Sequence, residues 1–202
     1  HHITTIEGGM IVTDNARLAD AMRSLRAHGW VRERRDRKEI EAAYPEIDPR
    51  FLFYSTGYNL RPTEVQAAFG QIQMQRLDAW VERRRQNHQQ WCRLLAGKGI
   101  RVFPEAPGTE HAGFAFAMLT EGPRKPLMEW LERHRVETRP ISGSNLARQP
   151  SFRNIPARMP VPLSVSDAVH ERGIFIGNSH AFTEKHGEKI AQLLDQWRAE
   201  NA

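Results

Sequence analysis

The fold class predicted by the sequence is mixed α/β, and three observations carry it. Gly8-Gly9 breaks the backbone, and the apolar, partly β-branched Met10-Ile11-Val12 behind it reads as a short buried strand. From Val65 an apolar helical period runs for about thirty residues, long enough to link two lobes. Past Gly99, short apolar runs alternate with helical patterns, as in an α+β lobe. The expected organisation is an irregular α/β segment over residues 1–62, a long linking helix over 63–98 and an α+β domain over 99–202.

Each element has its own signal. Asp14 or Asn15 caps a helix whose apolar face is Leu18, Ala21, Met22 and Leu25, and Gly29 ends it. A weak helix over Arg37 to Ala43 is stopped by Pro45 and Pro49. Phe51-Leu52-Phe53-Tyr54 reads as a buried anchor for a loop. Thr63 with Gln66 matches a capping box at the start of the long helix. Its apolar positions include Ala68, Phe69, Ile72, Leu77, Trp80, Trp91 and Leu95; Arg83-Arg84-Arg85 is the expected wet face, and Gly97 and Gly99 close it. Strands follow at Ile100 to Phe103, Gly113 to Leu119, Val136 to Ile141 and Ile174 to Ile176. Helices are expected at Pro126 to His134, Ser166 to Glu171 and Thr183 to Trp197, and residues 142–164 read as loop. Trp80, Trp91, Trp130 and Trp197 fall on apolar faces and read as core.

Composition narrows the class. Hydrophobic content of 40% and charged content of 26% suit a globular domain. No apolar run approaches the roughly 18 residues that a membrane helix requires. The N-terminus lacks a signal-peptide pattern, so a cytoplasmic location is the default expectation. Cys92 stands alone, which excludes an internal disulfide and a Cys-only metal site; no metal is expected. The net charge is +5, and the densest basic stretch is Arg32 to Lys38. Acidic residues interleave with it, so it reads as a solvated loop and not as a nucleic-acid surface.

Three segments carry chemistry. The first is His1-His2-Ile3-Thr4-Thr5-Ile6-Glu7-Gly8-Gly9, in which an imidazole next to a glycine turn offers a general acid or base near neutral pH. Two leading histidines also admit an affinity-tag reading. The second is Gly57-Tyr58-Asn59-Leu60-Arg61-Pro62-Thr63-Glu64-Val65-Gln66-Ala67-Ala68, where an amide and a guanidinium precede a helix N-terminus and suit an anion. The third runs from Thr138 to Phe152 and holds Arg139, Asn145 and Arg148, arginines being suited to carboxylate or phosphate. His180 is read as a loop histidine.

These segments resemble the DegT/DnrJ/EryC1/StrS sugar aminotransferases, and in particular their nucleotide-sugar 3-dehydratase branch, where a His stands at the position of the cofactor Lys. The resemblance covers the C-terminal part of that family's fold. It implies an aspartate-aminotransferase-like, fold-type I architecture: a remnant of the large cofactor-binding domain, a linking helix and an α+β small domain. It implies pyridoxal 5′-phosphate, or its pyridoxamine form, as cofactor. Asn59 and Arg61 would contact the cofactor phosphate across a homodimer. His1 would be the catalytic base, because an imidazole cannot form the lysine imine. Arg139, Asn145 and Arg148 would bind a nucleotide-linked 4-keto-6-deoxy sugar or glutamate. The implied reaction is 3-dehydration. Sugar aminotransfer from glutamate is the first alternative, and a non-catalytic dimeric module from a truncated gene the second. The aromatic that stacks on the cofactor and the Asp that pairs with its pyridine nitrogen belong to the family's other half, so the sequence is expected to be a fragment. With Cys92 as the sole cysteine, a cysteine-held iron–sulfur cluster is excluded.

Overall fold

The computed structural model describes residues 1–152, 154–158 and 161–201. The chain divides into two compact units, Ile3–Gln75 and the remainder, His1–His2 with Arg76–Ala202.

The unit Ile3–Gln75 is held by short helices and loop hydrogen bonds. Helix α1 (Ala16–Leu25) begins at Asn15, whose side chain accepts from the N–H groups of Arg17 and Leu18. Its buried residues are polar, Asp20 and Ser24, and Leu18 is exposed, contrary to the apolar face expected. Asp20 is used by the Arg23 guanidinium at 3.0 Å and by the Arg35 N–H at 3.2 Å, which explains a carboxylate on the inner face. Helix α2 (Arg37–Ala43) stops where expected. Phe51, Phe53 and Tyr54 are exposed, and only Leu52 of that run is buried, with Val31 and Ile40. One anchoring side chain fills this small core, and Phe53 stacks on Trp30 instead. Met10, Ile11 and Val12 are not a buried strand; they are 89%, 75% and 85% exposed and have no ladder partner among the described residues. The basic stretch is ion-paired, with Arg34 on Asp36 and Arg37 on Glu41.

Helix α3 (Glu64–Leu95) starts with the expected capping box: the Thr63 N–H donates to Gln66 Oε1 at 2.8 Å. Val65, Phe69, Ile72 and Met74 are exposed on its first half. The second half buries Arg84, Asn87, His88, Trp91, Cys92 and Leu95. Arg84 therefore lies on the inner stripe and not on the wet face.

The larger unit carries an antiparallel sheet in the order β1-β2-β4-β3. Its strands are β1 (Ile100–Val102), β2 (Ala115–Thr120), β3 (Thr138–Pro140) and β4 (Gly173–Gly177). Phe116 pairs with Ile176 and Met118 with Ile174, so alternate residues of both strands face one side. Helices α4 (Arg124–Arg133), α6 (Glu184–Asn201) and the second half of α3 supply Leu127, Leu131, Trp91, Leu95, Ile190 and Leu194 to the same core. Trp91 and Trp130 are core as expected, whereas Trp80 and Trp197 are half-buried. Helix α5 (Ser164–Arg172) leads directly into β4. Short 3-10 turns at Leu146–Arg148 and Pro150–Phe152 interrupt the expected loop, whose positions 153, 159 and 160 lie outside the described residues. His88 is buried against His111, ring centroids 3.6 Å apart. Burial, and then the neighbouring imidazole, push its pKa down to about 4, so it is neutral at pH 7.

Two glycines join the turn after α1 to the chain before α3. Gly29 has φ +85°, and a Cβ there would lie 1.6 Å from the Ser55 carbonyl oxygen; one on Gly57 would lie 2.3 Å from the Gly29 nitrogen. Both obstacles are backbone, so neither can rotate away. Gly57→Ala is expected to destabilise this unit by more than about 2 kcal/mol. Thermal unfolding followed by circular dichroism checks this; an unchanged midpoint contradicts the close approach.

Candidate active site

The end of β4 lies beside the start of β2, because Gly177 pairs with Ala115 in the antiparallel ladder. This register places Asn178 one residue past β4 and next to Phe114, one residue before β2. The Asn178 N–H donates to the Phe114 carbonyl at 2.7 Å. Its side-chain amide donates to the Gly113 carbonyl at 2.9 Å and to the Arg84 carbonyl at 3.0 Å, and its Oδ1 accepts from Asn87 at 3.3 Å. Asn178 is 1% exposed, so each of these bonds satisfies a group removed from water. Together they tie α3 to the strand entrance and fix Phe114.

The His1 ring stacks on Phe114 with centroids 4.0 Å apart, and Phe175 meets Phe114 edge-on at 6.3 Å. Arg84 completes the arrangement. Its Nη2 donates to the His1 carbonyl at 3.3 Å, and its Nη1 lies 3.2 Å from His2 Nδ1. A guanidinium can only donate, so Nδ1 of His2 is the acceptor and Nε2 carries the proton. Burial first, and then the Arg84 charge, lower the His2 pKa and keep the ring neutral. Arg84 is 5% exposed, has no carboxylate partner among the described residues, and burial lowers its own pKa.

His1, Phe114, Phe175 and Arg139 line a cavity of about 1150 Å³ within this unit. Arg124, Arg135 and Lys189 also line it, and the single acidic side chain that lines it among the described residues, Glu137, is paired with Arg139 at 2.7 Å. The cavity is thus an aromatic-walled, cationic cleft that suits an anionic ligand with a planar part.

The other residues singled out in the sequence have distinct positions. Asn145 is buried; its Oδ1 accepts from the Ala147 N–H at 3.0 Å and its amide donates to Asp167 at 2.7 Å. Arg148 is paired with Asp167 at 2.8 Å and Glu171 at 3.2 Å. The cavity lining passes through Ser142, Gly143, Ser144 and Gln149, and not through Asn145 or Arg148. Asn59 and Arg61 belong to the unit Ile3–Gln75. There the Arg61 Nε donates to Asn59 Oδ1 at 3.2 Å, leaving the amide nitrogen of Asn59 and the terminal nitrogens of Arg61 available just before α3. His180 stacks on Trp80 at 4.4 Å.

Sequence reasoning missed Phe114, Asn178 and Arg84. A signal existed for Arg84: it stands seven and eleven residues before Trp91 and Leu95, in register with the buried stripe.

The profile of the DegT/DnrJ/EryC1/StrS aminotransferase family matches residues 1–195. The chain belongs to that family. It is 30% identical over 96% of its length to the GDP-4-keto-6-deoxy-D-mannose 3-dehydratase of Yersinia pseudotuberculosis, covering 51% of that protein. It is 29% identical over its whole length to the dTDP-4-dehydro-2,6-dideoxy-D-glucose 3-dehydratase of Saccharopolyspora spinosa, covering 47% of it. The crystal structure of a GDP-4-keto-6-deoxymannose-3-dehydratase mutant with bound GDP-perosamine superimposes with a TM-score of 0.86 at 26% identity, over 96% of this chain and 52% of that one. The E. coli GDP-4-keto-6-deoxy-D-mannose-3-dehydratase with bound hydrated PLP gives 0.83 at 26% identity, over 96% and 51%. The chain spans about half the length of the curated relatives it matches. The fold class is therefore the one the resemblance implied, matching the C-terminal part of fold-type I, aspartate-aminotransferase-like structures.

The buried amide of Asn178 is expected to be the most sensitive position of this site. Asn178→Leu leaves the Gly113 and Arg84 carbonyls without that donor, at a cost of about 2–4 kcal/mol. Chemical denaturation measures the loss, and a change below about 0.5 kcal/mol contradicts the arrangement.

Proposed function

We propose that the protein acts on a nucleotide-linked 4-keto-6-deoxy sugar with pyridoxal 5′-phosphate, removes the 3-hydroxyl and draws the amino group from glutamate. The observation that carries the reading is the His1 ring stacked on Phe114 and lining a cationic cavity; by the resemblance, this histidine would take the place of the family's cofactor lysine. Similar proteins are 3-dehydratases, and one related 3-dehydratase holds a PLP-glutamate geminal diamine.

The residues present fit part of what the cofactor needs. Asn59 and Arg61 would hold its phosphate, across a homodimer by the resemblance, using donors that their mutual hydrogen bond leaves over. When bound, the cofactor supplies an electron-withdrawing ring that stabilises negative charge next to its reacting carbon. This chain's task is to move protons. His1 would take the proton from the cofactor's C4′ carbon and return one to the departing hydroxyl. Its ring has no amine with which to capture the product, so water would complete the turnover. Arg84 and Phe114 orient the imidazole, and Phe175 with Phe114 keeps that side of the cavity apolar. Arg139 would bind anionic oxygens of sugar or co-substrate; Asn145 and Arg148 would shape its loop and reach the ligand if their carboxylate partners yield. Residues 1–62 correspond in this reading to part of the large cofactor-binding domain, 63–98 to the linking helix and 99–202 to the small domain.

The test is incubation of the protein with pyridoxal 5′-phosphate, glutamate and a nucleotide-linked 4-keto-6-deoxy sugar. The expected products are a 3-deoxy-4-keto sugar, 2-oxoglutarate and ammonia, with turnover cut about 10²–10⁴-fold by His1→Asn. A stable amino sugar contradicts dehydration and supports the aminotransferase reading. A dimer without bound cofactor or turnover supports the non-catalytic one.

A further inference from the structure

Helix α3 turns a polar face toward the chain between β1 and β2. Arg85, His88, Gln89 and Cys92 share that face, at helical spacings of three and four. The Glu105 carboxylate accepts from Arg85 Nε at 3.0 Å, from Gln89 Nε2 at 3.0 Å and from the His111 N–H at 2.8 Å. The His111 ring lies on the buried His88 ring, with centroids 3.6 Å apart and planes 16° apart. His88 also meets Phe116 of β2 at 5.4 Å, and Cys92 Sγ lies 3.9 Å from its ring nitrogens. Burial, and then His111, push the His88 pKa down to about 4, so at pH 7 it brings no charge to the stack.

The seated ring reaches the strand entrance. His111 Nδ1 accepts from the Gly113 N–H at 3.2 Å, so its own proton is on Nε2. A Cβ on Gly113 would lie 2.5 Å from His111 Cε1, so glycine is what permits this close approach. Glycine is also the residue with the widest choice of φ and ψ, and here both are taken away. Its N–H is held by His111 and its carbonyl by the Asn178 amide at 2.9 Å. The peptide planes on both sides of its Cα are thereby fixed. Phe114, which follows directly, inherits that orientation and carries the His1 ring at 4.0 Å.

We infer that His111 is a positioning residue for His1: seated on His88, it holds the Gly113 N–H and so sets the Phe114 ring on which His1 stacks. It acts through Phe114 and does not itself line the cavity. The part that acts is the Nδ1 acceptor, and the stack on His88 is what aims it. The inference rests on the proposed function for its consequence in proton transfer, and not for the contact itself.

The test compares His111→Ala, His111→Phe and His111→Asn with the unmodified protein by nuclear magnetic resonance at pH 7, with thermal melts to show which are folded. His111→Phe keeps a ring for His88 and removes the acceptor. His111→Asn removes the ring and keeps an oxygen able to accept from the N–H two residues on, as in an Asx-turn. In His111→Ala and His111→Phe the Gly113 amide is expected to exchange about tenfold faster and the Overhauser contact between His1 and Phe114 to weaken. Both should recover in part in His111→Asn. Where 3-dehydration is observed, kcat should fall about tenfold or more in the first two variants with KM little changed, and recover with the third. If His111→Ala does not fold, His111→Phe and His111→Asn carry the comparison. An unchanged His1–Phe114 contact in folded His111→Phe overturns the inference. So does a loss that folded His111→Asn does not recover, which would make the side chain a packing element only. A contact that depends on the acceptor, in a protein that turns over no nucleotide-linked keto sugar, upholds the positioning role and refutes the proposed reaction alone.

Discussion

One buried amide sets the geometry of this site. Asn178 joins the carbonyl of Arg84 on α3, the carbonyl of Gly113 and the backbone of Phe114 through a single side chain and its own N–H. Each bond contributes about 1 kcal/mol net, but a lost one leaves a buried carbonyl bare, which costs more. The position of Phe114 follows from these bonds, and the position of the His1 ring follows from Phe114. The sheet matters to the chemistry mainly because its register delivers Asn178 to the entrance of β2.

Arg84 shows the same economy from the other side. A buried guanidinium without a carboxylate is unfavourable, and its lowered pKa records that cost. Its contacts are a backbone carbonyl and a neutral imidazole, both on the two residues that enter the site. The charge faces His1 and His2 without being neutralised, so the neighbourhood of the candidate base is electropositive. A cation there favours any anion that enters the cavity, and Arg139, Arg124, Arg135 and Lys189 extend that field along its wall.

Local signals carried most elements into the structure. Asn15, Thr63 with Gln66, and Gly97 with Gly99 start or stop helices through backbone hydrogen bonds and positive φ, and such chemistry is readable from a few adjacent residues. What sequence patterns reported poorly was burial. Met10 to Val12 and Phe51 to Tyr54 are apolar enough to be buried, yet an apolar run says nothing about whether a partner surface meets it. Arg84 and Asn178 are polar enough to be exposed, yet they are buried because distant backbone carbonyls need donors. Of the residues singled out from local motifs, His1 and Arg139 both line the cavity. The Oδ1 of Asn145 accepts from the Ala147 N–H and its amide donates to Asp167, and the second of these contacts spans too much sequence for a local pattern to encode.

The candidate base is thus defined by what holds it: a ring stacked on Phe114, a carbonyl held by Arg84, and an amide that fixes both. Nuclear Overhauser contacts between the His1 and Phe114 ring protons test this most directly. The stack predicts strong cross-peaks and ring-current-shifted His1 resonances that move toward free-peptide values in Phe114→Leu. Free-peptide His1 shifts in the unmodified protein, with no contact to Phe114, would contradict it.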